Sequence, residues 1–207
     1  MSLGAPGHEA TARLGKDVTG WRREPDPLAS KRMSDPTWQE RFGQVFHRGM
    51  SAWDAGRRSP RAMFGPDDET FLAGIGGTTQ ELFDFVDDLQ RHGEPDLATV
   101  LAVTEIQRDH FLGALGGKPT GRIASMSDLP AKTDTVVGIP WLPRLIAKAR
   151  LKLRGEMPPD LMYGCAGDRP FLRRMRMDLP GFLILVRDHG DDDRAIVDAV
   201  KRRAGID

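Results

Sequence analysis

Cysteine is nearly missing from this 207-residue chain, which has only Cys165, and tyrosine occurs once as well, at Tyr163. A single cysteine excludes an internal disulfide and any metal site built from several thiolates, and it fits a reducing compartment. No apolar run approaches the roughly 18 residues needed to span a bilayer, so no membrane association is expected. Residues 1–8 lack a charged start followed by an apolar stretch, the pattern of a secretory signal, and a cytoplasmic location follows as the expectation.

Net charge is also missing, formally +0. That zero hides an asymmetry, because residues 35–115 hold 7 basic and 14 acidic side chains, whereas residues 139–207 hold 14 and 10. An acidic half beside a basic half is expected to attract it, within one chain or between chains.

The familiar catalytic signatures are absent. Lys118 follows Gly117, but Leu112 stands where a phosphate loop has its first glycine, and Pro119 follows the lysine. Gly74-Ile75-Gly76-Gly77 lacks the third glycine and the preceding strand of a dinucleotide fingerprint. There is no His-Glu-x-x-His and no Gly-x-Ser-x-Gly. His92 and His189 each precede a glycine that ends a helical pattern, where a cation suits the helix dipole. Asp191-Asp192-Asp193 likewise fits a helix start better than a cation site. No cofactor and no metal are expected.

The chain does contain paired segments. Met63-Phe64-Gly65, followed by Phe71-Leu72, resembles Met162-Tyr163-Gly164, followed by Phe171-Leu172. The twelve residues from His92 and the twelve from His189 agree at seven positions. Trp38 to Phe42 pairs with Trp141 to Leu145 at an offset of 103, Phe71-Leu72 with Phe171-Leu172 at 100, and His92-Gly93 with His189-Gly190 at 97. The blocks keep their order, which points to an internal duplication. Two copies tend to bury the same patch against each other, so a pseudo-twofold pair is expected.

Every strong periodicity is helical, which predicts an all-α chain. Residues 1–34 mix glycine, proline and charge without periodicity and read as a flexible head. Asp35-Pro36 predicts a helix start, with Phe42, Val45, Phe46 and Met50 as its buried stripe. Asp67 to Leu72 predicts a short helix. Thr78 and Glu81 form a capping box that opens a helix burying Leu82, Phe85, Val86 and Leu89. Another helix follows Asp96, with Val100, Thr104 and Phe111 on one side. These elements make a first module over 36–112, and 113–138 reads as a linker.

The second module covers 139–204. Its first helix is expected to turn Leu142, Leu145, Ile146, Ala149 and Leu153 inward, and Arg144, Lys148, Lys152 and Arg154 mostly elsewhere. A short helix near 168–176, a helix capped by Asp178 and a last helix from the Asp191 run complete it.

The turn at 163–168 is the best place to look for chemistry. Tyr163, Cys165 and Asp168 sit between helices within reach of Arg144 and Lys148, and a cation beside a thiol makes it nucleophilic. In the first half Phe64 and Pro66 replace the hydroxyl and the thiol, so the turn is either a site kept in one copy or a structural turn in both. A lone cysteine also serves as a small buried hydrophobe.

The run Leu142-Pro143-Arg144-Leu145-Ile146-Ala147-Lys148-Ala149-Arg150, followed by Tyr163-Gly164-Cys165-Ala166-Gly167-Asp168 and Phe171-Leu172, resembles the bacterial family catalogued as domain of unknown function 5069. The resemblance covers about 139–205 and extends more weakly over 36–112. It implies a small helical domain with a Tyr-x-Tyr-x-Cys-like turn and a closing helical pair. Ala147 stands where the family pattern has Asp, and Met162 where it has an aromatic. If that Asp is a working acid or base in the family, this chain lacks it, and the family name implies no activity.

Three readings follow. The leading one is a protein-interaction or regulatory module that binds a partner protein or a second copy. The second is an enzyme using Arg144, Lys148, Tyr163, Cys165 and Asp168 on a small molecule. The third, less favoured, is nucleic-acid binding through Arg144, Lys148, Arg150, Lys152 and Arg154 with Arg173, Arg174 and Arg176, a basic face without the aromatic ladder used for single strands.

Overall fold

The computed structural model describes residues 37–206, so the expected flexible head lies outside the described residues. Helix α1 (Trp38–Asp54) starts from Thr37 rather than Asp35. The Thr37 hydroxyl accepts from the Glu40 amide at 3.2 Å, and the Glu40 carboxylate accepts from the Thr37 amide at 2.7 Å. This reciprocal cap satisfies two amides that the first turn otherwise leaves open.

A short α2 (Pro60–Met63) and α3 (Pro66–Gly74) follow, then α4 (Thr79–His92), opened by Thr78 and Glu81 as expected. Gly93 ends α4 in the left-handed conformation, and Asp96 caps α5 (Leu97–Gly113) through the Thr99 amide. The second half contains α6 (Leu142–Arg154), α7 (Asp168–Arg174), α8 (Leu179–His189) capped by Asp178, and α9 (Asp193–Ala204) capped by Asp192. The described residues are thus mostly helical. The exception is a two-residue hairpin pairing Thr135–Val136 (β1) with Ile139–Pro140 (β2), antiparallel.

The stretch expected as a linker is tied down. Besides the hairpin it has a 3₁₀ turn at Met126–Asp128, the Ala124 amide donates to the Glu156 carbonyl at 3.0 Å, and Arg144 donates to the Pro130 carbonyl at 2.7 Å. No helix among the described residues is long and apolar enough to cross a membrane.

Both halves belong to one compact unit. Helix α1 packs on α4 in the first half, and α6 packs on α8 in the second. The contact between the halves is not reciprocal, however. Helix α5 lies against both α6 and α8, while among the described residues α9 makes no comparable contact with α1 or α4. The reason is visible in α5, which buries Val100, Val103, Thr104, Ile106, Gln107 and Phe111 on one broad face, wide enough to meet more than one neighbouring helix. The pseudo-twofold seam is therefore replaced by one central helix.

The charge asymmetry becomes a set of ion pairs across this junction. Lys152 on α6 meets Glu81 on α4 at 3.0 Å, Arg169 on α7 meets Asp88 on α4 at 2.6 Å, and Arg173 meets Glu94 at 2.9 Å. Acidic groups of the first half neutralise basic groups of the second within the same chain.

Candidate functional site

The turn that opens α7 is built around Asp168, whose side chain has no solvent exposure. Gly164, in the left-handed conformation at φ 88°, directs its amide to Asp168 Oδ2 at 2.8 Å. Trp141 Nε1 donates to Oδ1 at 3.0 Å. Lys148 Nζ forms an ion pair and hydrogen bond with Oδ2, and lies 3.4 Å from Cys165 Sγ. A carboxylate inside a protein requires such compensation, because an unpaired buried charge is costly.

Lys148 therefore does not lie on an outer face of α6, and neither does Lys152; each is 2% exposed. The helical pattern places them beside the apolar stripe, and the carboxylates of Asp168 and Glu81 make their burial tolerable.

Of the five candidate residues the structure brings together three: Lys148, Cys165 and Asp168. Tyr163 is buried and turns away, its hydroxyl donating to the Leu179 carbonyl at 2.8 Å. Burial raises the Tyr163 hydroxyl pKa well above its usual value, and the negative charges of Asp168 and Asp178 add to the effect. Arg144 points to the Pro130 carbonyl. The principal clefts among the described residues are lined by none of the five. Cys165 keeps intermediate exposure. An ion pair shut from solvent, with both carboxylate oxygens engaged, offers a substrate no space to reach it.

The first half contains the same construction. Arg48 on α1 pairs with Asp68 on α3, and Asp68 Oδ2 accepts from the Gly65 amide at 3.3 Å. These residues stand 100 before Lys148 and Asp168, and 99 before Gly164. The buried pairs Phe42 and Leu142, Val45 and Leu145, and Phe46 and Ile146 keep that same offset of 100. So do the bonds that close α3 and α7, Gly77 amide to Leu72 carbonyl and Met177 amide to Leu172 carbonyl, both 2.9 Å. The pairing of Trp38 with Trp141 at 103 thus falls three residues out of this register. Trp38 packs under Arg108, while Trp141 caps α6 and reaches Asp168.

The basic face considered for nucleic acid is largely consumed internally. Lys148 and Lys152 are buried, Arg150 holds the Gly190 carbonyl and Asp193, Arg154 holds Glu156, and Arg173 holds Glu94. The Asp191 run serves the fold, with Asp192 capping α9 and Asp193 paired to Arg150.

Sequence reasoning missed Arg169. It is 5% exposed, and its Nη1 donates to Asp88 Oδ2 and to the Gly164 carbonyl, both at 2.6 Å, which ties the turn to the first half. Glu94 lies 3.1 Å from its Nε, close enough for an ion pair but outside hydrogen-bond alignment. The excess of acid in one half and base in the other was the available signal. Comparison with models of protein families, with curated proteins and with solved structures found no match.

Proposed function

We propose that this chain is a non-enzymatic, cytoplasmic protein-interaction or regulatory module, derived by duplication of one helical unit. The observation that carries the reading is the repeated pair, Lys148–Asp168 in one half and Arg48–Asp68 in the other. The first copy holds its turn together in the same way with neither thiol nor phenol, so the chemistry-bearing residues of the second copy act as structural parts of a lock. The offset of 100 shared by the buried stripes and the turn supports the duplication. It also fits the likeness of 139–205 to the uncharacterised family, in which this turn is a prominent feature.

Alkylation of Cys165 tests the reading. Iodoacetamide is expected to label the native protein no faster than a free thiol in an unfolded chain, and Cys165→Ala is expected to leave stability within about 1 kcal/mol. Labelling faster than that reference is the signature of an activated nucleophile and would return the turn to the enzyme reading. Sedimentation over a range of concentrations then separates the two forms of the proposal, since self-association identifies a second copy as the partner and a persistent monomer leaves a different protein.

A further inference from the structure

Where α7 ends, the backbone of Arg176 turns through the left-handed region at φ 53°. The position 100 earlier is Gly76, at φ 77°. Glycine enters this region without penalty, whereas an L side chain there is strained, and strain that persists often marks a functional site. The second half thus has an arginine where the same turn elsewhere in the chain uses the residue suited to it.

The Arg176 side chain lines a cleft of about 290 Å³ together with Arg173, at the end of α7, and Arg203, in the last turn of α9. Among the described residues neither Arg176 nor Arg203 has an acidic partner. The carboxylate in the cleft, Asp178, is occupied in capping α8 through the Gly181 amide at 2.8 Å. Arg173 and Arg176 from the end of α7 and Arg203 from α9 thus line one space, an arrangement suited to an anion with several oxygens.

A second cleft, of about 410 Å³, adjoins the first and shares Arg173, Met177 and Asp178 with it. It runs into the junction of the two halves, where Pro95, Leu172 and Leu179 supply apolar wall and Glu94, Asp96 and Thr99 supply oxygen acceptors. The larger cleft falls within the size range of small-molecule sites and lies where such sites tend to occur, between packed units.

We propose that this double cleft binds a small phosphorylated molecule. The phosphoryl group sits among Arg173, Arg176 and Arg203, and a body bearing hydroxyl or amino donors, as in a nucleoside or sugar phosphate, lies against Leu172 and Leu179 with its donors toward Asp96, Thr99 and Glu94. The inference goes beyond the reading of the chain as a protein-interaction or regulatory module and gives its regulatory form a small-molecule ligand. Arg173 keeps its Nη1 and Nη2 bonds to Glu94, at 2.9 and 3.4 Å, and presents its other N–H donors to the phosphoryl group.

Calorimetric titration with inorganic phosphate, adenosine 5′-monophosphate, glucose 6-phosphate, adenosine and glucose tests it. At least one ester is expected to bind tenfold or more tightly than inorganic phosphate, and the two unphosphorylated compounds not at all. Preference for one ester identifies the body as nucleoside or sugar. Arg176→Gly is expected to weaken that binding at least tenfold while raising the unfolding temperature of the free protein, so lost affinity is separable from lost folding. Arg203→Ala is expected to weaken it similarly, and Arg174→Ala, whose guanidinium lies over Phe171, to leave it unchanged. No binding of either ester at millimolar concentration, or binding indifferent to Arg176→Gly and Arg203→Ala, overturns the proposal. Equal affinity for phosphate and both esters overturns the placement of the body. These outcomes are independent of Cys165 labelling, which tests the underlying reading without any ligand.

Discussion

Arg169 of the second half reaches Asp88 of the first with its Nη1 2.6 Å from the carboxylate, and the same nitrogen also donates to the Gly164 carbonyl. One buried guanidinium therefore joins the turn before α7 to helix α4. Removing one member of a buried ion pair leaves the other charged and unsatisfied, typically at about 3–5 kcal/mol. Asp88→Ala is expected to cost on the order of 3 kcal/mol, moderated because Glu94 remains beside Arg169. Replacing both, as Asp88→Leu with Arg169→Met, is expected to recover part of the loss. Urea unfolding of Asp88→Leu, Arg169→Met and the variant that carries both checks this, and strictly additive losses would show that the two residues do not act as a pair.

The two locks should differ in strength although they share a design. Lys148 and Asp168 are enclosed, with side chains 3% and 0% exposed, whereas the Arg48 side chain is 52% exposed. Lys148→Met is therefore expected to cost on the order of 3–5 kcal/mol by stranding a buried carboxylate. Arg48→Met is expected to cost about 1 kcal/mol, as for a solvent-screened pair. Thermal unfolding of the two variants checks the ranking, and an equal loss would contradict the difference in burial.

What the sequence revealed about this molecule depended on distance along the chain. The starts of α4, α5, α8 and α9 were legible because their caps, Thr78, Asp96, Asp178 and Asp192, act on residues only three positions away. Helix α2 and the hairpin were not, since four residues and two pairs of residues are too short to display a period. Lys148 and Lys152 looked solvated because the carboxylates that bury them come from other helices. The tryptophans misled the alignment of the two halves. Trp141 owes its place to Asp168 and Trp38 to Arg108, contacts with no common origin in the helix pattern. Of the five candidate residues, proximity in a turn brings Cys165 and Asp168 to Lys148, but the sense of each side chain is decided by packing that only the fold displays.

Equivalent turns should respond oppositely to substitution. At Gly76 an added Cβ would lie 2.6 Å from the Phe111 Cβ, in a backbone region that already disfavours it. Gly76→Ala is expected to lose on the order of 2–3 kcal/mol, from backbone strain of about 1 kcal/mol together with overpacking. Arg176→Gly relieves the same strain and is expected to gain up to about 1 kcal/mol, less the added freedom of glycine in the unfolded chain. Denaturant midpoints of the two variants check the opposite signs.

Asp84 makes the molecule sensitive to pH. Burial raises its pKa to about 7; Glu81 and Asp87 add to that, while the bond from Gln80 Nε2 at 2.7 Å and the charge of Lys152 work against it. Asp88 and Asp160 line the same shallow cleft. Because the folded value lies above the ordinary 3.8, the native state holds a proton that the unfolded chain has released between pH about 4 and 7. Over that window the unfolded state binds fewer protons, so this residue's contribution to stability falls as pH rises and becomes flat above about 7. Asp84→Asn keeps an acceptor for Gln80 and removes the titration. The variant is expected to match the parent near pH 4 and to exceed it above pH 7 by up to about 4 kcal/mol. Unfolding free energies of both proteins measured from pH 4 to 8 check this. A difference that stays constant across the range would mean that Asp84 titrates alike in the folded and unfolded chain, and its burial would then carry no energetic consequence.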